Sequence, residues 1–93
     1  MTNFTEEALK MFLKIAPKEL ATLDRAHQKQ DWQSICDLAH KMKSTAVYCG
    51  ALKLRDACVN LEQYLRSNEN SEHREKLYQV VLKEIELVRK NNS

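Results

Sequence analysis

The chain has 93 residues, of which 30% are charged, with one glycine, one proline and a formal net charge of +2. One glycine excludes the Gly-rich phosphate loops of nucleotide-binding folds, and the shortage of turn residues excludes a many-stranded β domain. Fifteen basic against thirteen acidic residues is too even a balance for a nucleic-acid domain, which carries a clustered basic excess.

The opening Met-Thr-Asn-Phe-Thr-Glu-Glu lacks the basic and apolar regions of a secretory signal. No apolar run approaches the roughly 20 residues that span a bilayer, so a cytoplasmic location without membrane contact is the expectation. The first helical block runs from about Thr5 to Lys29. Its apolar residues Ala8, Leu9, Phe12, Leu13, Ala16, Leu20, Leu23 and Ala26 keep the three-and-four spacing of one buried face. Pro17 lies inside it and removes a backbone donor, so the block is either a kinked helix or two helices.

Asp31 is placed to N-cap the second helix. The stripe there is Trp32, Ile35, Leu38, Ala39, Met42, Ala46 and Cys49, and Gly50 follows as the left-handed residue that closes the helix. The third helix spans about Ala51 to Arg66, with Leu54, Ala57, Cys58, Leu61 and Leu65 inward. Ser67 to Ser71 reads as a polar loop. The fourth helix spans about Glu72 to Lys90 on a stripe of Leu77, Val81, Ile85 and Val88, and Asn91 to Ser93 reads as a fraying end. Short connections make neighbouring helices antiparallel. The expected fold is therefore all-α: an antiparallel four-helix bundle with a Pro-interrupted N-terminal arm, one domain over residues 1–93.

Three cysteines, Cys36, Cys49 and Cys58, form no CxxC pair and suit reduced, packed thiols. Cys36 and His40 have a metal-compatible spacing, but no third and fourth ligand accompany them, so no metal site is expected. His27 and His73 fall near helix ends and read as surface residues. His40 differs. At about 100° per residue, Leu38, Met42 and Cys49 lie opposite it, so its ring stands at the middle of a solvent face. Gln33, Asp37, Lys43, Ser44, Cys36 and Val47 share that face. An exposed neutral imidazole is a nucleophile near neutral pH. Lys43, one turn on, and the adjacent Lys41 would offset a phosphoryl group on the ring, and the small Ser44 leaves room for a large partner. A hydrolase built from Asp37, His40 and Lys43 is disfavoured, because these residues lie on a convex face.

The stretch Ala39-His40, Lys43-Ser44, Gly50 ten residues after the histidine, and Leu61-Glu62 resembles the histidine-containing phosphotransfer (HPt) domain. The N-terminal residues Phe12-Leu13, Pro17, Leu20, Leu23 and Asp31-Trp32 are also similar to that family. Ser44 stands where glycine is commoner. The resemblance implies a four-helix bundle that takes a phosphoryl group from the aspartate of one receiver domain and gives it to another, without ATP and without enzymatic activity of its own. His40 would carry the phosphoryl group on Nε2, and Lys43 would neutralise its oxygens. Ser44 would bond either a phosphoryl oxygen or the imidazole Nδ1. The implied partners are response-regulator receiver domains and a hybrid sensor histidine kinase. No cofactor is expected on this chain, and Mg²⁺ would sit on the partner receiver only. The docking surface should surround His40, with Val47 foremost, then Cys36, and with Met11 and Ile15 widening the patch. The initial Met and the capped first helix lean towards a free-standing protein, and a monomer is the expectation. Two other readings stand beside this one. One is a module of the same fold that docks on a kinase or receiver without relaying phosphate, which the intact His40 and Lys43 count against. The other is an unrelated helical adaptor.

Overall fold

A computed structural model describes residues 4–67 and 71–91. Among them the chain forms four helices: α1 (Phe4–Gln28), α2 (Trp32–Tyr48), α3 (Leu52–Ser67) and α4 (Arg74–Asn91). They pack as a bundle with α2 between α1 and α3, and with α4 closing the ring against α3 and α1. Neighbours run antiparallel. The Cys49 thiol at the end of α2 donates to the Ala8 carbonyl near the start of α1 at 3.4 Å. His27 near the end of α1 meets Glu75 near the start of α4. The expected loop residues 68–70 and the last two residues lie outside the described part.

α1 is continuous through Pro17, so no interrupted arm forms. Pro17 is exposed, while Phe12, Ala16 and Leu23 on either side are buried. The carbonyl left without its donor thus lies on the solvent side, and core packing of both halves holds the helix together.

Both tight turns use the same C-terminal geometry. The Gly50 N–H donates to Val47 O at 3.0 Å and the Ala51 N–H to Ala46 O at 2.9 Å, with Gly50 at φ +73. At the end of α1 the Gln30 N–H donates to His27 O and the Asp31 N–H to Ala26 O, with Gln30 at φ 56. This is the Schellman arrangement, in which a left-handed residue lets the last carbonyls find donors. Asp31 then caps α2, its Oδ1 accepting from the Ser34 N–H at 3.1 Å. A side chain added at Gly50 meets only ordinary contact, 3.7 Å to Thr5, so the penalty there is one of backbone conformation. Gly50→Val is expected to cost about 2 kcal/mol, because a β-branched residue is strained at positive φ. Thermal melting measures it, and a wild-type melting temperature would mean the turn does not need glycine.

The core contains Phe12, Ala16, Leu23, Ile35, Ala39, Leu54, Leu61, Val81 and Ile85. On α4 Tyr78 is fully buried with Val81 and Ile85, while the expected Leu77 is half-buried. His27 explains the difference. Its ring stacks on Tyr78 with centroids 4.3 Å apart and meets Trp32 edge-on at 5.7 Å. The half-buried His27, expected at the surface, is part of an aromatic cluster joining α1, α2 and α4, and its Nε2 lies 2.6 Å from Glu75 Oε1. His73 is exposed, as expected.

Candidate functional site

His40 stands at the middle of α2 with its side chain 54% exposed. The helix has two unequal flanks. Lys41, Thr45 and Tyr48 lie about 80–140° round it from His40 towards α1, and Cys36 and Lys43 lie about 40–60° the other way, towards α3. The two flanks have different fates because α3 packs closely there.

On the α3 side a carboxylate lies under the imidazole. Glu62 is the one buried charged residue among those described, with its side chain 7% exposed. It follows Cys58 by one turn and so continues the inward face of α3. Its Oε2 lies 2.6 Å from His40 Nδ1 and accepts from Arg66 Nε at 3.0 Å, while its Oε1 accepts from Lys43 Nζ at 3.0 Å. Burial alone would raise the Glu62 pKa. The hydrogen bonds from Lys43, His40 and Arg66 outweigh it and draw the carboxyl from its ordinary 4.5 down to about 2. Glu62 is thus a carboxylate at neutral pH and can only accept. Nδ1 must therefore be the protonated nitrogen that donates to it. Nε2 is the ring nitrogen that Glu62 does not engage. This excludes the expected alternative in which Ser44 bonds Nδ1. Ser44 is exposed one turn beyond the ring, and Lys41 is exposed beside it.

Cys36 departs from expectation. It is 4% exposed, because its offset from His40 carries it under α3. Burial raises its thiol pKa most, against a lowering by Arg66, so it is neither a docking residue nor an activated thiol. The other three docking candidates are exposed: Met11 69%, Ile15 39% and Val47 49%. Met11 and Ile15 line an apolar groove between α1 and α2 with Ala8, Phe12, Thr45 and Tyr48. Lys10 and Lys14 border it. Among the described residues no cluster of three or more His, Cys, Asp or Glu is arranged to hold a metal ion. No helix among them is long and apolar enough to cross a membrane.

In the sequence Glu62 stands out only as half of the Leu61-Glu62 pair. Its signal was nonetheless present, since an ionisable residue in register with Leu54 and Cys58 must find buried partners. Arg66, four residues further, marks only the end of the third helix in the sequence.

The bundle thus displays the His40 imidazole on the convex face of α2, held from behind by a buried carboxylate and flanked by cations. The Hpt domain model matches residues 7–91, nearly the whole chain, and the protein belongs to that family. Family membership carries histidine phosphotransfer in a phosphorelay, with two-component receiver domains and histidine kinases as partners. Hpt domains are phosphotransfer intermediates and not enzymes in the usual sense. No curated protein and no solved structure matches the chain.

Proposed function

We propose that this chain is a relay intermediate in which His40 takes a phosphoryl group from the aspartyl phosphate of one receiver domain and passes it to the aspartate of another. The observation that carries this is the Glu62 carboxylate fixed on His40 Nδ1 at 2.6 Å. It leaves Nε2, the ring nitrogen that Glu62 does not engage, for in-line attack.

In the forward step the Nε2 lone pair forms the N–P bond as the bond from phosphorus to the aspartyl oxygen breaks. That electron pair leaves with the aspartate. The Nδ1 proton stays on the ring, hydrogen-bonded to Glu62, so the positive charge arising on the imidazole faces an anion already in place. Transfer onward is the reverse. The transition state is loose, so the chain contributes position and fixed charge. Lys43 Nζ, one turn from His40, supplies the charge for the phosphoryl oxygens. Ser44 Oγ supplies a hydrogen bond to one of them, and Lys41 adds to the positive field. The receiver brings its own aspartate and Mg²⁺.

Docking is proposed on the ridge of His40 and Val47, extended across α1 by Met11 and Ile15, whose exposed side chains give the partner apolar area to bury. The relay acts as a monomer in the cytoplasm, with a hybrid sensor kinase upstream. The test is transfer from isotopically labelled phospho-receivers. An acid-labile, base-stable label should appear on this chain and pass to a second receiver. If no receiver of the source cell gives it label while some still bind it, the protein is a docking module and the relay reading fails.

Lys43→Ala should slow the transfer by about tenfold or more through lost charge stabilisation, with the helical circular-dichroism signal unchanged. Lys43 is 32% exposed and Arg66 remains on Glu62, so a collapse of the fold would show Lys43 to be structural.

A further inference from the structure

We infer that Arg66 is a positioning residue that becomes the counter-ion of Glu62 when Lys43 turns to a phosphoryl group on His40, an inference that rests on the reading of His40 above. Two carboxylate oxygens serve three donors. Oε1 holds Lys43 alone, whereas Oε2 is shared by His40 Nδ1 and Arg66 Nε. Lys43 and His40 lie on α2, while Arg66 comes from α3, one turn beyond Glu62.

A phosphoryl group on Nε2 adds about two negative charges and three acceptor oxygens outside the ring. Lys43 is the donor fitted to answer it. Its ammonium ends a flexible four-carbon stem with three rotatable donors, and its side chain is 32% exposed. Turning outward empties Oε1, while the carboxylate stays buried. A buried carboxylate stripped of its cation is strongly disfavoured. Arg66 removes that obstacle. Its rigid planar guanidinium holds the oxygen that also holds Nδ1, and it remains there whichever way Lys43 points. Glu62 therefore stays ionised and aimed at the imidazole throughout the phosphorylated state. Without Arg66, Glu62 and the phosphoryl group compete for one ammonium.

The experiment phosphorylates the protein with phosphoramidate, a small donor that needs no receiver. Nitrogen-15-edited NMR then follows the proton on His40 Nδ1, and the phosphohistidine half-life is measured beside it. In Arg66→Gln the Nδ1 proton signal should persist before phosphorylation, because Lys43 still holds Glu62. After phosphorylation it should be lost to solvent exchange, with the half-life shortened severalfold. Arg66→Lys should restore most of both. Three results overturn the inference: the variant keeps the signal and a wild-type half-life when phosphorylated; it loses the signal already without phosphate, which marks Arg66 as merely structural; or wild-type His40 takes no phosphate from phosphoramidate. If the expected pattern appears but no receiver transfers label to the chain, the relay reading fails and the role of Arg66 stands.

Discussion

His40→Gln is expected to abolish label transfer from phospho-receivers. An amide nitrogen has no lone pair free to attack phosphorus, so no residual rate should survive. The fold should survive, because the Gln amide can still donate to Glu62 and position 40 is exposed. A melting temperature within a few degrees of wild type is expected, as for most surface substitutions of about 0.5 kcal/mol or less. The variant leaves two other histidines. His27 has its Nε2 on Glu75 and its ring stacked on Tyr78, and His73 has no carboxylate fixing its tautomer among its described contacts. Base-stable label persisting in His40→Gln would move the assignment to one of them.

Glu62→Ala is the second large effect, and it strikes activity and stability together. Transfer should fall by at least about tenfold, the order lost when an orienting carboxylate no longer fixes a catalytic imidazole. Stability should fall by about 2 kcal/mol, because charge-assisted hydrogen bonds from Lys43, Arg66 and His40 are lost together while all three donors can still reach water. In a domain of this size that is roughly 10 °C in melting temperature. Acid titration gives an independent reading. The Glu62 pKa lies at about 2 in the fold against an ordinary 4.5. A depressed carboxyl pKa stabilises the fold fully above the unfolded value, and that contribution is lost as pH falls from about 4.5 towards 2. Melting of the wild type should therefore steepen over this interval, and Glu62→Gln should lack that component. Identical acid profiles for the two proteins would show that Glu62 is not held as a paired carboxylate.

Much of the molecule was legible in the amino-acid order because helices carry their own signals. The three-and-four spacing marked four helices, Asp31 marked the start of α2, and Gly50 its end. The angle of His40 to the apolar stripe put the imidazole in solvent. Pro17 misled because local propensity does not count the packing of Phe12, Ala16 and Leu23, which carries α1 through the missing hydrogen bond. On α4, Leu77 and Tyr78 are adjacent and either suits the stripe. The stacking partner His27 from α1 decided for Tyr78.

By itself, then, the sequence determined the helices, the caps of α2 and the exposure of His40 beside Lys43, since each follows from residues within one turn of one another. The tertiary structure alone decided which flank of α2 would be covered. Helical periodicity fixes the angle between two side chains, but it does not say where the next helix lies. Packing α3 on the flank of Cys36 and Lys43 buried the thiol, brought Glu62 and Arg66 from more than twenty residues away, and so settled which nitrogen of His40 is held by the carboxylate.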